Sequence, residues 1–259
     1  MYSDDVTFRV EEGIATLSLN RVSRHNALTT EMLRTIDRAL EEIEHNPAVR
    51  VLTVRSTSPR FFCSGADINE WGDIDPERMG SRWIRTGNRV FRRLAELDIP
   101  TLAVLSASAF GGGLELALAC DLRYAATTAT LGFPEAAVGA IPGWMGCKRL
   151  NDLVGPTRSR ELVLLGTPID ALRAADWGLV NAAVPGQELD EVVRHVCQTL
   201  KSRSPISQSI GKRLLRISEG EGAELSHEFA ASVCKATPDA IEGVRAFREK
   251  RPAIFSDQS

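Results

Sequence analysis

Two glutamates and two loops of small residues are the parts of this sequence best suited to chemistry. Glu115 lies in SASAFGGGLELALACD (residues 106–121), three positions beyond Gly112 in the triplet Gly111–Gly113. Glycines let a ligand atom approach the backbone, and the helix predicted for LELALAC turns its unpaired N-terminal amides toward that atom. Such a place suits a developing negative charge. Glu135 directly follows Pro134, a placement suited to the first turn of a helix or a tight turn. In SPRFFCSGADINEW, read as a loop, Ser64, Gly65 and Ala66 follow two phenylalanines. Taken singly, these pieces have plainer accounts: a glycine-rich turn with a helix-surface acid at 115, and at 135 an acid complementing a helix dipole, worth about 0.3–1 kcal/mol. Taken together, two carboxylates beside two amide-rich loops fit general acid and base work on a carbonyl compound whose oxygen becomes anionic.

The spacing supports no other chemistry. G-x-G-x-x-G and G-x-x-x-x-G-K-[ST] are absent, and the pair Gly211 and Lys212 lacks the earlier glycine of a phosphate cradle. His227 and Glu228 begin an H-E pair, but Ala231 stands where a zinc-binding helix needs its second histidine. Ser64 lacks the glycine two residues before it that a nucleophile elbow requires. His25, His45, His195 and His227 are scattered and read as solvated or capping residues. The five cysteines are odd in number and far apart, without C-x-x-C or metal-ligand spacing. Reduced thiols in a cytoplasmic setting, with no bound metal, are the expectation.

With 259 residues, 43% hydrophobic and 25% charged, the chain has the composition of a soluble globular protein with one sizeable core, or a core and a smaller appendage. A net charge of -3, from 31 basic and 34 acidic residues, provides no global field for nucleic acid or an anionic membrane, so neither is expected as a partner. An anionic ligand would need a local basic cluster. The N-terminus, MYSDDVTFRVEEG, has neither a secretory nor a transit-peptide pattern. Ile99 to Cys120 is apolar over a membrane-like length, but Pro100 and the glycine triplet divide it into strand, turn and helix.

The elements that position these residues follow from periodicity. Val6–Val10 and Ile14–Leu19 flank EEG and predict a hairpin. Met32, Leu33, Ile36, Leu40 and Ile43 recur at helical spacing between Thr29 and Asn46, with Thr29 or Thr30 as the cap. VRVLTVRS, from Val49, is the next strand, and strand, helix, strand implies a parallel crossover. A helix around Arg78 to Leu97 leads to a third parallel strand, TLAVLSAS. SGAD and GGGLE thus each follow a strand, and loops at the carboxyl ends of parallel strands converge on one crevice. DLRYAA and TATLGF predict further strands, Met145–Leu165 two short helices broken at Gly155 and Pro156, and ALRAADWGLVNAAV a short helix and a strand. From Leu189 only helical patterns remain, at Leu189–Leu200, Ile206–Ile217, Glu224–Lys235 and Asp239–Lys250. A boundary near residue 200 is expected, with a strand-rich core at 1–200 and an all-helical appendage at 201–259.

Three segments, FCSGAD, AFGGGLELALACD and PEAAVGAIPG, together resemble the crotonase superfamily, and specifically its enoyl-CoA hydratases. The resemblance runs from LSLNRVSRHNAL to DAIEGVRAFREKRPAIF, nearly the whole chain. It implies an α/β fold, a spiral of ββα repeats with a C-terminal helical trimerisation region, and assembly as a homotrimer or a hexamer of two trimers. It places an oxyanion hole on the backbone amides of Ala66 and Gly112, and the catalytic pair on Glu115 and Glu135. The reaction implied is reversible addition of water across the 2,3 double bond of a trans-2-enoyl-CoA thioester, with Glu115 as base and Glu135 as acid. No metal or cofactor is implied, because coenzyme A enters as part of the substrate. Substrate-binding positions carried over are Arg24, Asp67, Ile68, Gly143, Trp144, Phe247 and Lys250, with Gly143 offering an amide to the water or to Glu135. Isomerisation of an enoyl-CoA through the same enolate is the second enzymatic reading, and a silent scaffold or RNA-binding relative the reading of another class.

The sequence departs from the family pattern in two places. Asn69 stands where relatives often have lysine, which removes a phosphate contact. Trp144 and Met145 replace the usual small residues after I-P-G, and Cys147-Lys148 a common Thr-Gln. Bulk at this point predicts a short or unusual acyl group.

Overall fold

Glu12 and Gly13, both at positive φ (48° and 78°), close the two-residue turn between β1 (Val6–Glu11) and β2 (Ile14–Leu19). Positive φ at both central residues matches the twist of an antiparallel pair, so the hairpin registers from Val6 opposite Leu19 to Glu11 opposite Ile14. The computed structural model describes residues 4–216, 233 and 237–255. Thr29 caps α1 (Thr30–Glu44) by accepting the Met32 N–H, and the helix returns the chain to β3 (Val51–Ser56), parallel to β2. The predicted crossover is observed.

β3, β5 (Thr101–Leu105), β7 (Leu122–Ala126) and β10 (Ala182–Val184) extend the hairpin into a six-stranded sheet of order β1-β2-β3-β5-β7-β10. Every pair beyond the hairpin is parallel. Leu52, Val54, Ala103 and Leu105 face a cluster that includes Leu33, Ile36 and Leu40 of α1 and Val90, Phe91 and Leu94 of α4 (Arg85–Glu96). Val51, Leu102 and Val104 face Leu189, Val193 and Cys197 of α8 (Gly186–Lys201). Burial on both faces explains the near-continuous apolar runs.

A second sheet, of order β4-β6-β8-β9, is made of β4 (Phe61–Cys63), β6 (Ser108–Phe110), β8 (Thr130–Gly132) and β9 (Ile169–Asp170). β4, β6 and β8 are parallel to one another, and β9 runs antiparallel to β8. Two sequence expectations change here. TLAVLSAS is not one strand: the chain leaves the large sheet after Leu105 and enters the small sheet at Ser108. SPRFFCSGADINEW is not all loop, because Phe61–Cys63 forms β4 and Ile68–Gly72 forms α2. Each repeat therefore places one strand in the large sheet, the next in the small sheet, and then a helical segment: β3-β4, β5-β6 and β7-β8. This is the expected spiral of ββα units.

The helix expected at Arg78–Leu97 is compound. A short turn, α3 (Pro76–Arg78), passes into a π-helical segment at Met79–Ile84 and only then into α4. The wider turn seats Trp83 in the core beside Trp144, ring centroids 5.5 Å apart. α5 (Gly112–Leu118) is buried throughout. α6 (Gly146–Leu165) breaks at Gly155 (φ 79°, ψ 171°) before Pro156, as read from sequence, and α7 (Ala171–Asp176) follows β9. No helix among the described residues is long and apolar enough to cross a membrane.

Beyond α8 lie α9 (Pro205–Leu215) and α10 (Pro238–Glu249). α9 is tied to the core where Lys212 Nζ donates to Asp121 Oδ2 at 2.7 Å and to the Ile99 carbonyl at 3.0 Å. The helix expected at Glu224–Lys235 lies outside the described residues, apart from position 233.

Candidate active site

Three adjacent parallel strands of the small sheet end at the three loops singled out above. β4 runs into Ser64–Gly65–Ala66, β6 into Gly111–Gly112, and β8 into Phe133–Pro134–Glu135. The loops meet, at the small sheet rather than the large one: Gly111 lies against Gly65 and Glu135, and Gly112 against Ala66. Leu28 bridges to Ala66 in parallel: its N–H donates to the Gly65 carbonyl (2.8 Å) and its carbonyl accepts the Asp67 N–H (2.9 Å). In a parallel bridge the central residue's own amide points away from that partner, so the Ala66 N–H faces the opposite side, where Gly112 lies. A Cβ on Gly112 would stand 3.3 Å from the Ala66 nitrogen. Gly112 opens α5, so its N–H has no intrahelical acceptor. Two donors thus adjoin in one crevice.

The glycines are required by approach as much as by conformation. Gly111 has φ 51°, and a Cβ there would lie 3.0 Å from Glu135 Oε1. A Cβ on Gly113 would lie 2.5 Å from the Cys63 carbonyl oxygen, so α5 rests directly on β4.

Glu115 is only 2% exposed. Its Oε1 accepts the N–H groups of Trp144 (2.6 Å) and Gly146 (2.8 Å). The chain reaches both because Met145, between them, is left-handed at φ 67°. The sequence reading assigns neither amide to Glu115. Burial pushes Glu115 up to about 8; the two amides oppose that shift and the charge of Glu135 adds to it. Burial also pushes Glu135 up to about 7, and its Oε2 is buried without a hydrogen-bond partner. Glu135 lies in a 3-10 turn, Pro134–Val138, in the first-turn placement read from sequence.

The other predicted positions divide into two groups. Asp67 is buried and caps α2 by accepting the Asn69 and Glu70 N–H groups, while Arg21 Nη1 lies 2.6 Å from its Oδ2. Burial works against ionisation of Asp67, but Arg21 and the two amides outweigh it and hold the carboxyl below its usual range. Trp144 is buried rather than open to a pocket, its ring wedged between Gly112 and Gly87 and edge-on to Phe91. Gly143 packs on Ile84, whose Cδ1 is 2.5 Å from where a Cβ would stand. Arg24 is exposed in the turn Val22–Arg24, Ile68 is 57% exposed at the start of α2, and Lys250 is exposed just past α10. The Phe247 side chain lies outside the described residues. The structure therefore joins Ala66, Asp67, Gly112, Glu115, Glu135, Gly143 and Trp144, and leaves Arg24, Ile68 and Lys250 at the surface.

Two residues missed in the sequence shape the site. Asn26, fully buried and left-handed (φ 56°), donates from Nδ2 to Ser56 Oγ (2.8 Å) and to the Phe62 carbonyl (3.0 Å), fixing β4. Arg21 holds Asp67 and also donates to the Ala27 carbonyl at 3.0 Å. Both belong to the LSLNRVSRHNAL segment, whose likeness to the family was the one available signal.

Residues 9–258 match the model of the enoyl-CoA hydratase/isomerase family. The chain is 36% identical over 252 residues to "Probable enoyl-CoA hydratase 2, mitochondrial" of Arabidopsis thaliana, covering 95% of this chain and 82% of that one. It is 33% identical to the crotonyl-CoA hydratase of Syntrophomonas wolfei, over 98% of this chain and 99% of that one. Among solved structures, an enoyl-CoA hydratase from Geobacillus kaustophilus superposes with a TM-score of 0.93 at 29% identity, covering 99% of this chain and 98% of that one. One from Bacillus anthracis gives 0.91 at 28%, covering 98% and 100%. With the fold, the two glutamates and the paired amides in place, the chain belongs to the enoyl-CoA hydratase/isomerase family of the crotonase superfamily.

Proposed function

We propose that the chain is an enoyl-CoA hydratase, adding water reversibly across the 2,3 double bond of a trans-2-enoyl-CoA thioester. The observation that carries this reading is the convergence of the buried Glu115 and the half-buried Glu135, both raised by desolvation, beside the adjoining Ala66 and Gly112 amides. In this reading the thioester oxygen sits between the two amides, which stabilise the negative charge that develops there as C3 is attacked. The ionised member of the pair takes a proton from the attacking water and the protonated member delivers one to C2. Glu115 has Oε1 fixed by two N–H donors, which leaves Oε2 for the exchange, and Glu135 has an Oε2 without a protein partner. Oxygen and one hydrogen add to C3, the other hydrogen to C2, and proton exchange through solvent restores the pair. Because the two carboxylates interact, they titrate as a unit, one protonated and one ionised near neutral pH.

Two acids favour hydration over isomerisation, which one can serve. We assign coenzyme A binding to Arg24, Ile68 and the C-terminal Phe247 and Lys250, and assembly as a trimer or hexamer to residues 201–259. A cytoplasmic setting accords with the free thiols of Cys63, Cys120, Cys147 and Cys197.

The test mixes purified protein with a series of trans-2-enoyl-CoA thioesters and follows loss of the conjugated absorbance. Glu115→Gln and Glu135→Gln are each expected to lose roughly 100- to 10,000-fold in kcat while remaining folded. Full activity in either variant removes that residue from the mechanism, and migration of the double bond without hydration selects the isomerase reading.

A further inference from the structure

Arg149, in the first turn of α6, holds the carbonyls of the same turn whose amides grip Glu115. Its Nη1 donates to the Trp144 carbonyl at 2.9 Å, and its backbone N–H to the Met145 carbonyl at 3.0 Å. The backbone bond is the ordinary one of a helix start, whereas the side-chain bond is an added tie. Met145, between the two amides, stands at φ 67° and ψ 17°, a left-handed conformation that residues with a side chain rarely adopt. Such a backbone persists only where its surroundings over-determine it. A Cβ on Gly146 would stand 2.6 Å from Glu115 Oε1, so the turn and the carboxylate are in direct contact.

The guanidinium is half-buried, which works against its charge, and the carboxylate that acts on it most is Glu115. In return Arg149 favours the ionised form of Glu115, against burial and the charge of Glu135. The other titratable groups around Arg149 leave that relation in place. Burial raises the Cys120 thiol to about 12, so it is uncharged, and on α4 Arg92 opposes the Arg149 charge while Glu96 favours it. Beside Glu115, the Cys147 thiol is also raised, by burial first and then by the two glutamates, and stays neutral. Lys148, the adjacent cation, is exposed and bonded to Asp152 at 2.5 Å.

We propose that Arg149 is a positioning residue for Glu115: its guanidinium pins the turn whose amides grip the carboxylate and supplies the positive charge that acts on it. One side chain thus fixes both the place and the protonation of an acid it does not touch. The inference rests on the enoyl-CoA hydratase reading and adds to it a residue that prepares one of the two acids.

The experiment follows hydration of trans-2-butenoyl-CoA against pH in the full chain and in Arg149→Met and Arg149→Lys. Methionine fills the space with neither charge nor donor, and lysine keeps both. Removing the positive charge disfavours the ionised carboxylate, so the glutamate pair keeps its protons to higher pH and the bell-shaped profile of kcat moves the same way. For Arg149→Met, kcat is expected to fall about tenfold at pH 6 and by less at each higher pH, with KM within about twofold. Arg149→Lys is expected to keep the wild-type profile and about half of kcat. Arg149→Gln, a donor without the charge, carries the same pH test where Arg149→Met does not fold. An equal loss at every pH, or a lysine variant no better than methionine, reduces Arg149 to packing and overturns the proposal. The infrared band of the protonated Glu115 carboxyl, assigned by its loss in Glu115→Gln, gives a readout independent of turnover. Persistence of that band to higher pH in Arg149→Met than in the wild type, without hydration by the wild type, keeps the positioning role and sinks the hydratase. Hydration by the wild type with the band unmoved does the reverse.

Discussion

β2, β3, β5 and β7 of the large sheet have five or six residues each, whereas β4, β6 and β8 of the small sheet have three. β3 and β5 bury both faces, and Leu52, Leu102 and Ala103 have no exposed surface. Three-residue strands bury too little to hold register by themselves. The small sheet is held instead by specific bonds: Asn26 on the Phe62 carbonyl, Ser108 Oγ paired with Thr130 Oγ1 at 2.8 Å, and the contact of Gly113 with Cys63. Stability is concentrated in one sheet and the candidate chemistry in the other. Short strands bring three loops side by side, and the large sheet lets them be short.

The largest effect that tests this division is on stability. Leu102→Ala, at the centre of the large sheet, is expected to cost about 2–5 kcal/mol in a denaturant titration while leaving kcat of the folded protein within about twofold. A large fall in kcat would show the two sheets to be coupled. Gly112→Ala makes the opposite case. Its Cβ would stand 2.5 Å from the Trp144 ring and 3.3 Å from the Ala66 nitrogen, so the paired amides must shift. A loss of about 100- to 1,000-fold in kcat is expected, roughly 2.7–4 kcal/mol of barrier. Unchanged kcat would remove the glycine loop from the chemistry.

The smallest effect concerns what the active site costs the fold. Glu115 is held at about 8, above its usual 4.5, because it is buried. The folded chain keeps a proton that the unfolded chain releases, so this contribution is full at acid pH and is lost as pH rises toward and through 8. Glu115→Gln retains an acceptor for the Trp144 and Gly146 amides without the charge. Its melting temperature is expected to exceed that of the wild type by ~2–4 °C at pH 8, about 1 kcal/mol, with a smaller gap at pH 5. A gap that narrows as pH rises would contradict burial as the cause.

Much of this architecture is legible in the sequence where a signal is local. The hairpin at Glu12–Gly13, the cap at Thr29 and the break at Gly155–Pro156 are where turn and helix chemistry places them. Glu115 and Glu135 stand out because each sits beside residues with a conformational reason to be there. β4 was hidden because three residues carry no measurable period, and its partner β6 is distant in sequence. TLAVLSAS read as one strand because hydrophobicity does not record a change of sheet. Arg21 and Asn26 offered no periodic signal, because their partners, Asp67 and the Phe62 carbonyl, lie 46 and 36 residues away.

The sequence by itself determined the order of strands and helices, the positions of the glycine turn and the two acids, and membership of a family, because these depend on neighbouring residues or on whole motifs. Only the tertiary structure decided that the crevice opens on the small sheet and that the Ala66 and Gly112 amides adjoin. It also decided that Glu115 is gripped by Trp144 and Gly146 and driven up by burial, and that Trp144 fills the space between α4 and α5. The physical reason is that a carboxylate's proton affinity and an amide's direction are set by what surrounds them, and at Glu115 the surroundings come from residues 29 and 31 positions along the chain.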